Sequence, residues 1–244
     1  MKMTKEEFVE YLIKFAESQG ITINKDQAGK LYTYKQLLLE WNEKINLTAI
    51  TEDDDIIVKH FVDSLLSTKF VLKGINIIDV GTGAGFPGIV LAIYYGKDIN
   101  ITLLDSLNKR INFLNNVIEK LELDNIKTVH GRAEELAHNI EYREKYDVAI
   151  ARAVASLNVL LEYLSGYVKV TGKCICMKSI NVDEEIKSSN NAVKELGLKL
   201  EKNDKFNFEY KKENITRNIL VYSKDKPNKE KYPRMYSKIK KNPL

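Results

Sequence analysis

Only two cysteines, four prolines and one tryptophan occur among 244 residues. The cysteines, Cys174 and Cys176, sit as Cys-Ile-Cys inside an apolar run. That spacing suits neither a zinc frame nor an extracellular disulfide pattern, so both are expected as buried, reduced thiols. No His, Cys, Asp or Glu set has the spacing of a metal site. No apolar run approaches the roughly 20 residues needed to cross a bilayer, and the first ten residues are charged rather than signal-like. A cytoplasmic protein with no membrane partner is the expectation. With 12 glycines and 44% apolar residues, collagen, low-complexity disorder and a disulfide scaffold are excluded. One globular domain, alone or with an extension, fits this length.

Charge of one sign is scarce overall, at a net +4 from 38 basic and 34 acidic residues, but it is unevenly placed. From Lys224 to Leu244 eight basic residues face two acidic ones, a net +6 that leaves −2 for the other 223 residues. Pro227, Pro233 and Pro243 fall in the same stretch, so the sequence predicts an extended basic arm rather than a helix. Such an arm suits an anionic partner.

What is present is a change of period. Up to residue 73 the apolar residues recur at helical spacing: Phe8, Tyr11, Leu12 and Phe15 after a capping-box-like Thr4-Lys-Glu-Glu, then Leu31 through Trp41 to Ile45, then Ile57 to Leu66. From Gly74 onward short β-branched runs alternate with helical patterns, the signature of βαβ units and a parallel sheet. Strands are expected at Ile75 to Val80, Ile99 to Leu104, Ile126 to His130, Asp147 to Ala151 and Lys173 to Lys178. Helices are expected between them, at 87–95, 109–121, 134–138, 157–168 and 183–196. The runs Leu198 to Phe208 and Arg217 to Ser223 read as an antiparallel pair closing the sheet. The reading divides the chain into a helical cap (1–73), an α/β domain (74–223) and the basic extension (224–244).

The segment from Asp79 through Gly81, Thr82, Gly83, Gly85 and Phe86 to Gly88 follows a strand and opens a helix, where glycines let the backbone approach a bulky ligand. Gly83-x-Gly85-x-x-Gly88 formally satisfies the dinucleotide fingerprint, which keeps a nicotinamide-dependent oxidoreductase in play. Asp79 points elsewhere: an acid at that strand tip would repel a pyrophosphate and suits a ligand carrying an ammonium or sulfonium. Asp105 ends the next strand, where a carboxylate can accept both ribose hydroxyls. Glu134, after the third strand, reads equally as a first-turn helix acid or an adenine contact. Together these features resemble the Rossmann-like class of S-adenosylmethionine-dependent methyltransferases.

Ligands of open α/β sheets lie beyond the C-terminal strand ends, so Arg152 and Lys178 are expected to face the substrate. The run Ala151-Arg152-Ala153-Val154 lacks the Asn/Asp-Pro-Pro-aromatic pattern of amine methylation, and neither cysteine is placed as a loop nucleophile. An acceptor that is already nucleophilic remains, and guanine N7 fits because its lone pair attacks without losing a proton. His60 and Asp63 share one helix face, which on spacing alone is a local pair.

The motifs Trp41-Asn42…Asn46-Leu47-Thr48, His60-Phe61-x-Asp63-Ser64, Asp79 to Gly88, Leu104-Asp105-Ser106-Leu107-x-Lys109-Arg110 and Ala151-Arg152-Ala153 stand in the order found in one bacterial family. The chain resembles the glucose-inhibited division protein B family, methyltransferases of guanine N7 in 16S ribosomal RNA. The resemblance implies a seven-stranded, mostly parallel Rossmann-like class I methyltransferase sheet with an N-terminal helical cap. It also implies S-adenosyl-L-methionine as cofactor and 16S ribosomal RNA, in the small subunit or a precursor, as substrate; a monomer is expected, though the sequence leaves the oligomeric state open. It carries ligand roles onto Gly81, Phe86, Ala133, Glu134 and Arg152, beside the cofactor candidates Asp79, Thr82, Gly83, Gly85 and Asp105. His60, Asp63, Arg152 and Lys178 are the catalytic candidates. The chain has Lys178-Ser179 where many relatives place Lys-Gly. Two further readings stay open: a non-catalytic RNA-binding module, favoured by the basic tail, and a small-molecule methyltransferase, which has no evident use for that tail.

Overall fold

The computed structural model describes residues 2–152, 155–179 and 182–244; Ala153 and Val154, counted above in the motif after the fourth strand, lie outside the described residues. Helix α1 (Lys5–Ser18) opens on the expected box, with Thr4 Oγ1 accepting from the Glu7 amide and Glu7 Oε2 accepting from the Thr4 amide. Helix α2 (Lys25–Ile45) starts on a second box of Asn24 and Gln27. The third helical segment changes pitch as it runs. Helix α3 (Asp53–Ile56) widens into a π-type stretch at Ile57–Val62 and tightens again in α4 (Asp63–Leu65). Wide turns of this kind concentrate at functional sites, and His60 lies in this one.

Seven strands form one sheet in the order β3-β2-β1-β4-β5-β7-β6. They are β1 (Ile75–Val80), β2 (Ile99–Asp105), β3 (Ile126–His130), β4 (Tyr146–Arg152), β5 (Val168–Lys178), β6 (Leu198–Tyr210) and β7 (Glu213–Lys224). The first five pair in parallel, and β7 is antiparallel to both β5 and β6. The chain therefore steps outward from β1 to β3 and returns on the other side of β1 as β4. A crevice opens at that switch of direction, past the ends of β1 and β4. Period-2 alternation splits the core: Ile77, Ile101 and Leu103 face a layer shared with α1, α2, α5 (Gly88–Tyr95) and α6 (Asn108–Lys120). Ile78, Val80, Ala149, Ala151 and both cysteines face α8 (Leu157–Ser165) and α10 (Asn190–Glu195). Both thiols are fully buried and unbridged, and burial pushes Cys174 up to about 12.

Three expectations shift. Strand β5 begins at Val168, ahead of the expected Lys173, because its first turn-like residues are irregular: Thr171 has a positive φ of 73° and the register slips between Tyr146 and Val148. The β6–β7 hairpin is longer than expected and turns at Lys211 and Lys212, with φ of 50° and 64°, where no Asn-Gly signal announces a turn. Its tip reaches the N-terminal helices, where Tyr210 donates to Asp55 (3.0 Å) and Phe208 meets Phe15 edge to face. The basic tail is not an extended arm. Tyr232 and Ile239 are buried, residues Tyr236–Lys241 form the short helix α11, and Lys224, Lys229 and Arg234 pair with Glu144, Glu195 and Glu162. The prolines flank α11 instead of interrupting it, and buried apolar anchors outweigh the repulsion of its like charges.

Candidate functional site

Asp79 lies on the same face of β1 as Ile77, fully buried under the glycine loop. Its Oδ2 accepts from Thr82 Oγ1 (2.6 Å) and from the Gly88 amide at the start of α5 (2.9 Å), so one oxygen ties both ends of the loop together. Oδ1 has no hydrogen-bond partner among the described residues. Burial raises the carboxyl to about 6, against the lowering pull of Thr82, Gly88 and Arg152, while Asp105 adds to the rise. Because the folded-state value exceeds the ordinary 3.8, ionisation opposes folding. The penalty is absent below pH ~4, grows between ~4 and ~6, and is constant above, at about 2–3 kcal/mol. Asp79→Asn is accordingly expected to be more stable than the wild type by roughly that amount at pH 8 and equal to it at pH 4. Denaturant titrations at both pH values check this; the same difference at both would show that Asp79 is not ionised at a cost.

The loop is also held from the N-terminal helices. Tyr34 of α2 donates to the Ala84 carbonyl and stacks on Phe61, with Phe86 tilted beside it. Gly85 has a φ of +98°, and a Cβ there would stand 2.5 Å from Ile89 Cγ1 and 2.8 Å from the Tyr34 hydroxyl, so only glycine fits. Asp79 and Gly85 thus shape the loop from beneath.

At the end of β2, Asp105 is 2% exposed. Its Oδ2 accepts from the Gly83 amide (2.9 Å) and Arg110 (3.2 Å), and its Oδ1 from the Leu107 amide (2.9 Å). Two cavities meet at this carboxylate. One, of about 450 Å³, is lined by Thr48, His60, Gly81, Thr82, Gly83, Phe86, Asp105 and Arg152. The other, of about 370 Å³, is lined by Gly81, Asp105, Tyr163, Tyr236 and the first two residues of α7 (Ala133–Leu136), Ala133 and Glu134. An elongated group with a ribose at its middle fits this pair, since Asp105 stands between them.

Arg152, the last residue of β4, divides the crevice. Its Nη1 donates to Asp63 Oδ2 (2.8 Å) and to the carbonyls of Lys59 and His60, its Nη2 donates to His60 Nδ1 (3.3 Å), and its guanidinium lies 4.8 Å from the Phe86 ring centre. An arginine only donates, so Nδ1 is the acceptor and the His60 proton sits on Nε2, which donates to Thr48 Oγ1 at 2.9 Å. His60 also stacks on Phe86, ring centres 4.5 Å apart. Burial and the neighbouring Arg152 lower His60 to about 3, so the ring is neutral in ordinary buffers. Asp63 is shared with Arg217 Nε of β7 (2.7 Å). A third cavity of about 310 Å³ opens on the far side of this cluster, lined by His60, Asp63, Arg152, Lys178, Glu185 and Arg217 among others. Lys178 there donates to the Ala155 carbonyl and pairs with Glu185, each at 2.7 Å.

The structure therefore gathers His60, Asp63, Arg152 and Lys178 around one cavity, and Gly81, Thr82, Gly83, Phe86, Asp105, Ala133 and Glu134 around its two neighbours. Thr48 arrives through its own motif: Asn42 Oδ1 accepts from the Leu47 and Thr48 amides (2.6 and 2.8 Å), and Asn46 turns the chain in the left-handed region. Arg217, Glu185 and Tyr236 escaped the sequence reading. They come from the hairpin, from α9 (Val182–Ser188) and from the tail, and no local motif marks them.

Comparison with known proteins gives the family and the fold. The family model described as GidB, rRNA small subunit methyltransferase G, matches residues 27–216. A ribosomal RNA small subunit methyltransferase G of Acetivibrio thermocellus is 48% identical over 96% of this chain and 95% of its own length. One from Clostridium perfringens is 45% identical over 98% of this chain and 99% of its own. Among solved structures, a SAM dependent methyltransferase from Aquifex aeolicus superposes with a TM-score of 0.51 at 18% identity, over 69% of this chain and 93% of that one. M. jannaschii TYW2 in complex with AdoMet gives 0.51 at 14%, over 66% and 76%. These two share the fold.

Proposed function

This chain belongs to the GidB family, rRNA small subunit methyltransferase G, and from that premise we propose that it transfers a methyl group from S-adenosylmethionine to N7 of a guanine in 16S ribosomal RNA. The observation that carries the reading is the Arg152 cluster, which stands as a wall between a cavity suited to the cofactor and a second cavity suited to a base. The cofactor supplies the methyl group as a sulfonium. Gly81, Thr82, Gly83 and Phe86 would border its methionine end, Asp105 its ribose, and Ala133 and Glu134 its adenine.

On the other side, Lys59, Arg152, Lys178 and Arg217 oppose Asp63 and Glu185, so the cavity lining is net +2 with His60 neutral. That balance favours a base still attached to its phosphates. Guanine N7 needs no deprotonation, and the one histidine at the junction offers it no base, because Nδ1 accepts from Arg152 and Nε2 holds its proton against Thr48. The work of these side chains is alignment: Arg152 and Phe86 fix the edges of the junction, and Asp63 is clamped by two arginines so that neither fork swings. The substrate is the RNA within the small subunit or a precursor, met by a monomer in the cytoplasm; no helix among the described residues is long and apolar enough to cross a membrane. The family membership leaves the nicotinamide, small-molecule and non-catalytic readings without support.

The test is single-turnover transfer of labelled methyl to small-subunit RNA across pH 6.5 to 9. A rate that varies less than about twofold is expected, since His60 does not titrate there. A steep limb that disappears in His60→Gln would assign His60 a proton-transfer role and overturn the base-free mechanism.

A further inference from the structure

We propose that Tyr236 is a cofactor-binding residue, its ring forming the solvent-side wall of the adenine end of the site, and that the C-terminal segment is a strap that holds it there. The inference rests on the cofactor reading above and extends it to a part of the chain whose composition alone suggests an RNA-binding tail.

The strap is a built element. Before Tyr236, Tyr232 is 3% exposed, and Arg234 donates to the fully buried Glu162 from its amide (2.8 Å), Nε (2.8 Å) and Nη2 (2.7 Å). His138 Nε2 donates to the Pro233 carbonyl (2.7 Å), and Arg143 donates to that of Tyr232 (2.9 Å). After Tyr236, Ile239 is fully buried and the Leu244 carbonyl accepts from Asn158 (3.1 Å). Buried anchors on both sides fix where the intervening residue stands. Tyr236 nonetheless remains 46% exposed.

That exposed ring does not face open solvent alone. It lines the 370 Å³ cavity whose floor is Val80, Leu104 and Asp105 and whose sides carry Ala133, Glu134 and Tyr163. The floor residues are at most 2% exposed, so the tyrosine is the outer wall. A purine is flat and aromatic, with a π face for a ring to cover and an exocyclic amine for a carboxylate such as Glu134 to accept from. Two cations already flank the ring, with Arg132 and Lys240 each 5.9 Å from its centre, which holds its plane at the cavity mouth. An aromatic wall at an adenine contributes affinity through stacking, without a hydrogen-bond requirement.

The experiment is calorimetric titration of the full chain with S-adenosylhomocysteine, with thermal midpoints recorded for every variant. Tyr236→Ala is expected to weaken binding about tenfold, Tyr236→Phe to stay within about twofold because the ring is kept, and Met235→Ala, its exposed neighbour, to bind like the wild type. Unchanged affinity in Tyr236→Ala, while Asp105→Ala loses binding, would overturn the strap and leave the cofactor reading standing. Equal losses in Tyr236→Phe or Met235→Ala would also overturn it, since the ring would then not be the cause. A wild-type chain that does not bind the ligand at all would overturn the cofactor reading itself.

Discussion

Replacing Arg152 by alanine is expected to lower the single-turnover rate of methyl transfer by about 10²–10³ while the protein stays folded. The size of the effect follows from how many groups one guanidinium orients. It bonds to Asp63, to two carbonyls of the wide helical turn and to His60, and it covers Phe86. Without it the His60 ring loses the donor that fixes its tautomer, and the wall between the two cavities loosens on both sides. The fold survives because Asp63 keeps Arg217 at 2.7 Å, so no buried carboxylate is stranded. A stability loss of about 1–3 kcal/mol is expected from the broken bonds. Arg152→Lys restores the charge but not the planar fork, and less than about a tenth of the wild-type rate is expected to return. A rapid-quench assay with cofactor and RNA saturating separates the rate from binding. An Arg152→Ala rate within a few fold of the wild type would make this residue a structural clamp only.

Asp105→Ala is expected to raise the dissociation constant for S-adenosylmethionine about 10- to 150-fold, the equivalent of roughly 1.5–3 kcal/mol for charge-assisted hydrogen bonds to a ribose. The carboxylate has a second job, since it accepts from the Gly83 and Leu107 amides and so sets the edge of the loop. Asp105→Asn separates the two: it can still accept from the amides while losing the charge, and an intermediate loss is expected. Calorimetry measures both. If neither variant changes affinity, Asp105 props the loop and does not hold the ribose.

Much of this site is legible in the sequence because its signals are local. Glycines at a strand-to-helix turn, an acid two residues ahead of them and an acid ending the next strand are short-range patterns, and the parallel pairing of β1 with β2 places them together. Asp79 was legible as a residue type and less so as a role. The sequence offers it to a ligand's ammonium or sulfonium, and the folded chain shows in addition that one of its oxygens staples Thr82 to Gly88. Spacing could pair His60 with Asp63, but Arg152 joins them from 89 residues away along the chain, which no periodicity reveals. The tail's conformation is not legible in its composition, because charge and prolines outvote two buried side chains in any composition argument. Tyr232 and Ile239 decide its conformation, and Glu162, which neutralises Arg234, lies on another element. Arg217 reaches the site only because the β6–β7 hairpin closes the sheet in antiparallel sense.

The central claim is a methyl transfer to guanine N7 with no proton removed by the enzyme. Its most direct test is nucleoside analysis by mass spectrometry of 16S RNA from small subunits incubated with this protein and methyl-labelled S-adenosylmethionine. The account predicts the label in 7-methylguanosine at a single site, lost in Arg152→Ala. Label on a base carbon, an exocyclic amine or a ribose hydroxyl, or no label in RNA at all, would contradict it.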